Sequence, residues 1–318
     1  MSAALHSYLA AWLFLVALSL GSMANLMVHQ LTGGRWGEPV LPAWAAASRL
    51  MPLVALAALP ILFGAPAIFP WVHEPGRYLN LPLFEARSIA YLVIFSALGW
   101  FAPGRSWLAA PGLVVYTLAV SLASFDWIAS LTPHWYSSGF GLVVGIGQML
   151  AGAAFGVTVG ARAWRERDDD ETRLRFNDLG NLLLMYVLTW AYLAYTQYLV
   201  IWSENLPHEI HWYVSRTQTS WAGLGLFVIA FHFALPLLIL LSRAAKRAPR
   251  VAGAIALSLL VAHLADVYWL VMPSVRPDGI SIAWTDPVAL AILGLAWWFA
   301  WRRSMRATHP EHAEMVRA

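Results

Sequence analysis

The sequence predicts an all-α polytopic membrane protein of about nine transmembrane helices, within a range of eight to ten, forming one integral-membrane domain over residues 1–318. Three observations predict it. Of the 318 residues, 60% are hydrophobic and only 12% are charged, a balance that soluble domains do not show. The apolar residues gather in runs close to the roughly 20 that a helix needs to cross a bilayer core. Finally, the basic residues sort by side. With the connections numbered alternately, 16 of the 20 Lys and Arg fall on one side, and only Arg77, Arg87, Arg216 and Arg276 on the other. That bias predicts an outer N-terminus and a cytoplasmic C-terminus, as for a bacterial inner-membrane protein.

The spans run at about 5–31, 43–63, 84–101, 107–124, 138–163, 176–203, 219–242, 251–273 and 284–302. The first has no basic leader segment and an apolar run of about 25 residues, which predicts a retained span and not a cleaved signal. The third and fourth are short and joined around Pro103-Gly104. The absence of cysteine excludes disulfides, covalent c-type haem and Cys-ligated iron–sulfur clusters within this chain. The net charge of +3 sits in short clusters at span ends, which excludes a nucleic-acid surface and leaves the lipid bilayer as the medium. No HExxH, GxSxG or phosphate-binding glycine motif is present, so nothing points to covalent or zinc-dependent catalysis.

The connections after spans two, four, six and eight are rich in Trp, Pro, His and acidic residues, whereas the opposite ones, such as RERDDDETR and SRAAKRAPR, are plainly charged. Aromatic belts account for part of the tryptophan, but not for the one-sided Glu, Asp and His. The densest stretch is Arg175 to Arg216. Within its span, Asp178, Asn181, Met185, Thr189, Tyr192, Thr196 and Ser203 recur at helical steps and share an arc of roughly 80°. Polar groups in hydrocarbon are costly, so the stripe is expected to face other helices or a wet cavity. It serves either as interhelical hydrogen-bonding glue or as a proton path from Asp178 toward Glu204. Two aromatic connections echo one another in residue order: Trp127 through Pro133-His134-Trp135 to Ser137, and Trp202 through Pro207-His208 and Trp212 to Ser215.

In span eight, His263 and Asp266 stand at i,i+3 and share a face near mid-membrane. An intramembrane His and Asp form either a proton relay or a buried pair that fixes packing. His232 in span seven lies at similar depth. It is either a core histidine bonded to a carbonyl or, with His263, one of two axial ligands to a b-type haem. Asp126 ends span four as a helix cap or as a proton acceptor at the outer mouth. Glu204 and His208 hold the matching place after span six. Asp126, His134, His208 and Arg87 form the outer-face docking or site set. Glu85 and Arg87, two residues apart, are expected to have separate partners.

Four stretches carry a resemblance. They are Met27-Val28-His29-Gln30-Leu31-Thr32-Gly33-Gly34-Arg35-Trp36-Gly37; Tyr78-Leu79-Asn80 with Phe84 and Arg87; Phe125-Asp126-Trp127 with Pro133-His134-Trp135; and the Asp178–Tyr213 block with Gln197-Tyr198, Trp202-Ser203-Glu204-Asn205-Leu206-Pro207 and Trp212-Tyr213. Together they resemble the NrfD/polysulfide-reductase membrane subunits, and more narrowly the ActF-like subunit of bacterial alternative complex III. The resemblance implies an all-helical subunit with no haem or cluster of its own. Its complex oxidises quinol and passes electrons through a multihaem cytochrome c subunit and an iron–sulfur subunit. A paralogous NrfD-like membrane subunit carries the quinol site, while the ActF-like one supplies a proton path and scaffold; quinone or quinol contact with this chain is the uncertain part of that pattern. The family pattern has ten spans with both ends inside, from which nine spans depart. The competing expectation is a proton-coupled secondary transporter, with Asp178, His263 and Asp266 as coupling groups, although broken mid-membrane helices are not obvious in the sequence.

Overall fold

One unbroken helix, α1 (Ser2–Thr32), forms the middle of a helical bundle, with 89% of its most apolar window buried. The computed structural model describes residues 2–133, 135–167 and 169–308, and every regular element among them is helical. The centrality of α1 follows from its small residues. Ala10, Ala11, Ala17, Gly21 and Ala24 are all buried, and small side chains let helix backbones approach. At Gly21 the approach is complete: a Cβ there would lie 1.8 Å from the Gln148 carbonyl oxygen, and one on Gly152 would lie 2.1 Å from the Gly21 carbonyl carbon. Thus α1 meets α8 (Phe140–Ala163) backbone to backbone.

The second span, expected as one helix, is broken into four pieces: α2 (Leu41–Ser48), α3 (Met51–Leu56), α4 (Leu59–Phe63) and α5 (Ala65–Ile68). The cause is a proline in the first turn of each piece, at 42, 52, 60 and 66, which lacks the N–H needed to continue the preceding turn. The breaks release carbonyls that α1 takes up. Trp12 Nε1 donates to Val54 O at 2.8 Å and Tyr8 Oη to Ala57 O at 2.8 Å. Helix breaks that are not obvious in the sequence are therefore present here, and the broken span is already satisfied by its neighbour.

The chain continues through α6 (Leu81–Phe101), α7 (Ala109–Trp127), α8 and α9 (Asp170–Glu204). The short α10 (Pro207–Thr217) follows. Span seven is again irregular: α11 (Trp221–Val228), a π-helical segment Ile229–Ala234, then α12 (Leu235–Leu240). Pro236 lacks the amide that would bond the His232 carbonyl, and the helix widens before it. After α13 (Arg243–Arg247) come α14 (Pro249–Val275) and α15 (Thr285–Thr308).

Eight of these segments are long and apolar enough to cross a membrane. The ninth expected span, α15, has the length, 24 residues, but tryptophans and terminal charges lower its apolarity. It still runs the depth of the bundle. At one end Ser7 Oγ donates to Asp286, and at the other Trp301 Nε1 donates to Ala43 O at 3.2 Å. Direction alternates in the same way elsewhere. Arg87 meets Asp126 at the aromatic-loop end, whereas Arg35 meets Glu171 at the basic end.

Candidate functional site

Polar chemistry inside the bundle concentrates where α9, the π segment and α14 meet. His232 is fully buried and His263 nearly so, their ring centroids 5.6 Å apart at an interplanar angle of 25°. Neither imidazole uses either nitrogen in a hydrogen bond to the protein. Asp266, one turn along α14, holds Oδ2 at 4.0 Å from His263 Nδ1. The Trp190 ring stands edge-on to His232 at 4.4 Å, and its indole lies beside Asp266 with Nε1 outside hydrogen-bonding geometry. Phe14 of α1 packs on His263 at 6.2 Å. Gly147 of α8 gives the imidazole room, since a Cβ there would come within 3.3 Å of His263 Cε1.

This arrangement settles two of the options for His232. It bonds no carbonyl. The pair also does not fit a haem, because Trp190, Phe14 and the wall at Gly147 occupy the space around the rings. What remains is a buried group of two imidazoles and a carboxyl whose ring nitrogens bond nothing in the protein. A buried polar atom without a protein partner costs about 1–3 kcal/mol, and a cluster of them makes this the candidate site. A neutral imidazole accepts a proton at one nitrogen and releases one from the other, and the Asp266 carboxylate stands within a small side-chain movement of that exchange. The widened helix at His232 is the backbone feature that often accompanies such sites.

The other proton-path residues do not join this cluster. Asp178, Asn181, Met185, Tyr192, Ser203 and Glu204 are exposed on the outside of the chain, and Thr189 and Thr196 are half-buried. For most of its length the stripe does not face other helices of this chain, because α9 turns its Phe176, Leu183, Tyr186 and Trp190 face inward instead. Asn181 accepts from Lys246 Nζ at 2.7 Å, and Thr189 Oγ1 donates to its own helix at Met185 O.

At the aromatic-loop end, Arg87 and Asp126 are partners of each other and not separate sites. Arg87 Nε donates to Asp126 Oδ2 at 2.9 Å and Nη2 to Oδ1 at 2.8 Å. Tyr91 Oη donates to the same carboxylate at 3.1 Å, and the Arg87 guanidinium lies 3.9 Å over the Tyr78 ring. Burial, and then the Asp126 charge, raise the Tyr78 phenol above its ordinary pKa. Asp126 is thus an inner residue of α7's last turn and caps nothing. His208 is exposed, 3.8 Å from Glu209, and Glu204 is exposed beside the left-handed Asn205 that ends α9. His134 lies outside the described residues.

Arg216 is the residue the sequence undersold, since it counts there only as one of four minority charges. It is fully buried and spends every N–H. Nε donates to Trp269 O, Nη1 to Trp212 O and Ser215 Oγ, and Nη2 to Leu270 O and Ser274 Oγ. The available signal is Pro273, which leaves the Trp269 carbonyl without its helical donor. The guanidinium also lies 3.6 Å over Trp212, whose ring stacks on Trp135 at 4.6 Å and 13°. The two aromatic connections that echo one another in sequence are therefore packed together. The glycine turn after α1 is likewise structural: Gly33 and Gly34 take φ of +65° and +87°, and Arg35 pairs with Glu38 and Glu171.

The fold and its intramembrane polar cluster define a multi-pass helical membrane protein. No family model matches the chain, and no curated protein matches it.

Proposed function

We propose that this chain is an integral membrane subunit of a quinol:cytochrome c oxidoreductase of the alternative complex III type, seated in a bacterial inner membrane with its N-terminus outside. Its part is a proton path and a scaffold beside the quinone site. Electrons travel through a multihaem cytochrome c subunit and an iron–sulfur subunit, consistent with a chain that has no cysteine. The observation that carries the proton role is the buried His232–His263–Asp266 group, with four imidazole nitrogens that bond nothing in the protein. Support for membership of a complex comes from α9, whose outward polar stripe is costly against lipid and suits a second membrane subunit, here the paralogous NrfD-like one.

The testing experiment is mass spectrometry and haem spectroscopy of the tagged chain purified in mild detergent. Copurifying multihaem and iron–sulfur proteins are the expected result. A chain that stays alone and drives solute uptake would replace the proposal with a proton-coupled transporter, which the proline-broken second span and the π segment favour. Within the complex, Asp266→Asn should leave assembly and haem content intact and lower proton-coupled turnover about 10²-fold or more, the usual scale for losing a positioned proton carrier. Wild-type turnover and proton yield in that variant would remove Asp266 from the path.

A further inference from the structure

The last helix has two unlike sides. Its inner side is fastened to the bundle by Trp297 Nε1 donating to Ser19 Oγ at 2.9 Å and by Trp301 Nε1 donating to Ala43 O. Its outer side is an unbroken apolar lane of Val288, Ile292, Leu295 and Phe299, all more than 40% exposed. At 1.5 Å per residue that lane is about 16 Å long, which is one leaflet's share of a hydrocarbon core of about 30 Å. At its basic end the lane opens into a groove lined by Phe299, Arg302, Arg303 and Arg306. None of the three arginines has a carboxylate partner among the described residues, although the chain pairs Arg35, Arg87, Arg175 and Arg276 with acids. Arg302 rests 4.9 Å over the Trp298 ring, which directs its charge along the helix surface.

Three guanidinium groups with no carboxylate partner among the described residues, at the foot of a lane of acyl-chain length, match one molecule: a charged phosphate head on two hydrocarbon tails. We propose that the Arg302–Arg303–Arg306 groove with the Val288–Phe299 lane binds a single anionic phospholipid of the adjoining leaflet. The lipid's phosphate bridges the arginines and its chains lie along α15, so it completes the outer surface of a helix less apolar than the other spans.

Native mass spectrometry of the full chain, released from detergent after reconstitution with phosphatidylglycerol, reads the bound lipid directly. The wild type should retain one anionic phospholipid and exchange out phosphatidylcholine. The triple variant Arg302→Gln/Arg303→Gln/Arg306→Gln should lose affinity about 100-fold, the scale of three arginines at about 1 kcal/mol each. Equal retention by wild type and variant overturns the site. Displacement of the lipid by millimolar inorganic phosphate also overturns it, because the groove would then take a free anion and not a lipid. If the triple variant does not fold, photoreactive phosphatidylglycerol on the wild type decides. Adducts on residues 288–306 support the site, and adducts confined to other helices overturn it.

Discussion

The two longest helices, α1 with 31 residues and α9 with 35, treat their polar groups in opposite ways. The most apolar window of α1 is 89% buried, and that of α9 only 28%. Yet α1 has the plainer sequence. Its Ser19, Ser22 and Asn25 are buried, and Asn25 alone ties three helices, donating to Gly21 O and Met149 O and accepting from Tyr186 Oη. On α9 large aromatics dominate the outward side, with Tyr192, Tyr195 and Trp202 all more than 60% exposed. Side-chain size, more than polarity, separates the helix at the centre from the helix at the edge: glycine and alanine admit backbones, whereas tyrosine and tryptophan keep them apart.

The sharpest way to break that contrast is to enlarge the centre. Gly21→Leu puts a side chain where even a Cβ would sit 1.8 Å from the Gln148 carbonyl. Overpacking of side chains costs about 1–3 kcal/mol, and a backbone obstruction exceeds it. The expected outcome is loss of monodisperse protein on size-exclusion chromatography in detergent. A variant that elutes and melts like the wild type would mean that α1 and α8 do not touch.

The edge should behave differently. Tyr192→Ala with Tyr195→Ala changes only exposed positions of α9 and is expected to move the melting free energy of the isolated chain by no more than about 0.5 kcal/mol. The same pair should reduce recovery of copurifying membrane protein in a pull-down. Tyr186→Phe, on the inward side of the same helix, removes the donor to Asn25 and should cost about 1 kcal/mol. Equal destabilisation by both sets would erase the distinction between the two faces.

Much of this was legible in the sequence, and the rest failed for identifiable reasons. Hydropathy marked the eight helices that are long and apolar enough to cross a membrane, and the i,i+3 spacing of His263 and Asp266 placed them on one face. Helical periodicity also showed correctly that Asp178, Asn181, Tyr192 and Thr196 share an arc. It carries no information on what that arc meets: the stripe, expected against other helices or a wet cavity, lies largely on the outside of this chain. The broken second span was written in Pro42, Pro52, Pro60 and Pro66, but summed apolarity hides the spacing of its prolines. The approach of His232 to His263, of Arg87 to Asp126 and of Arg216 to the carbonyls before Pro273 are tertiary facts, joining residues 31, 39 and about 54 positions apart.

A helix with so little burial relies on its ends, and this gives the smallest effect and the most specific one. Asp169 caps α9: its Oδ1 accepts from Thr172 N at 2.8 Å and its Oδ2 from Thr172 Oγ1 at 2.8 Å. The backbone bond first, and then the hydroxyl, hold the carboxyl below its ordinary pKa. A depressed carboxylate pKa adds stability that is fully present above the unfolded value of about 3.9 and is lost as pH falls through the native value. Asp169→Asn keeps an acceptor for the Thr172 amide but removes the charge and its titration. The melting temperature of the wild type should therefore exceed that of the variant slightly at pH 6 to 7, and the gap should close as pH falls below about 4. A gap that stays constant down to pH 3, in a detergent where both proteins remain folded, would show that the cap works through shape alone and that α9 draws no electrostatic support from its first turn.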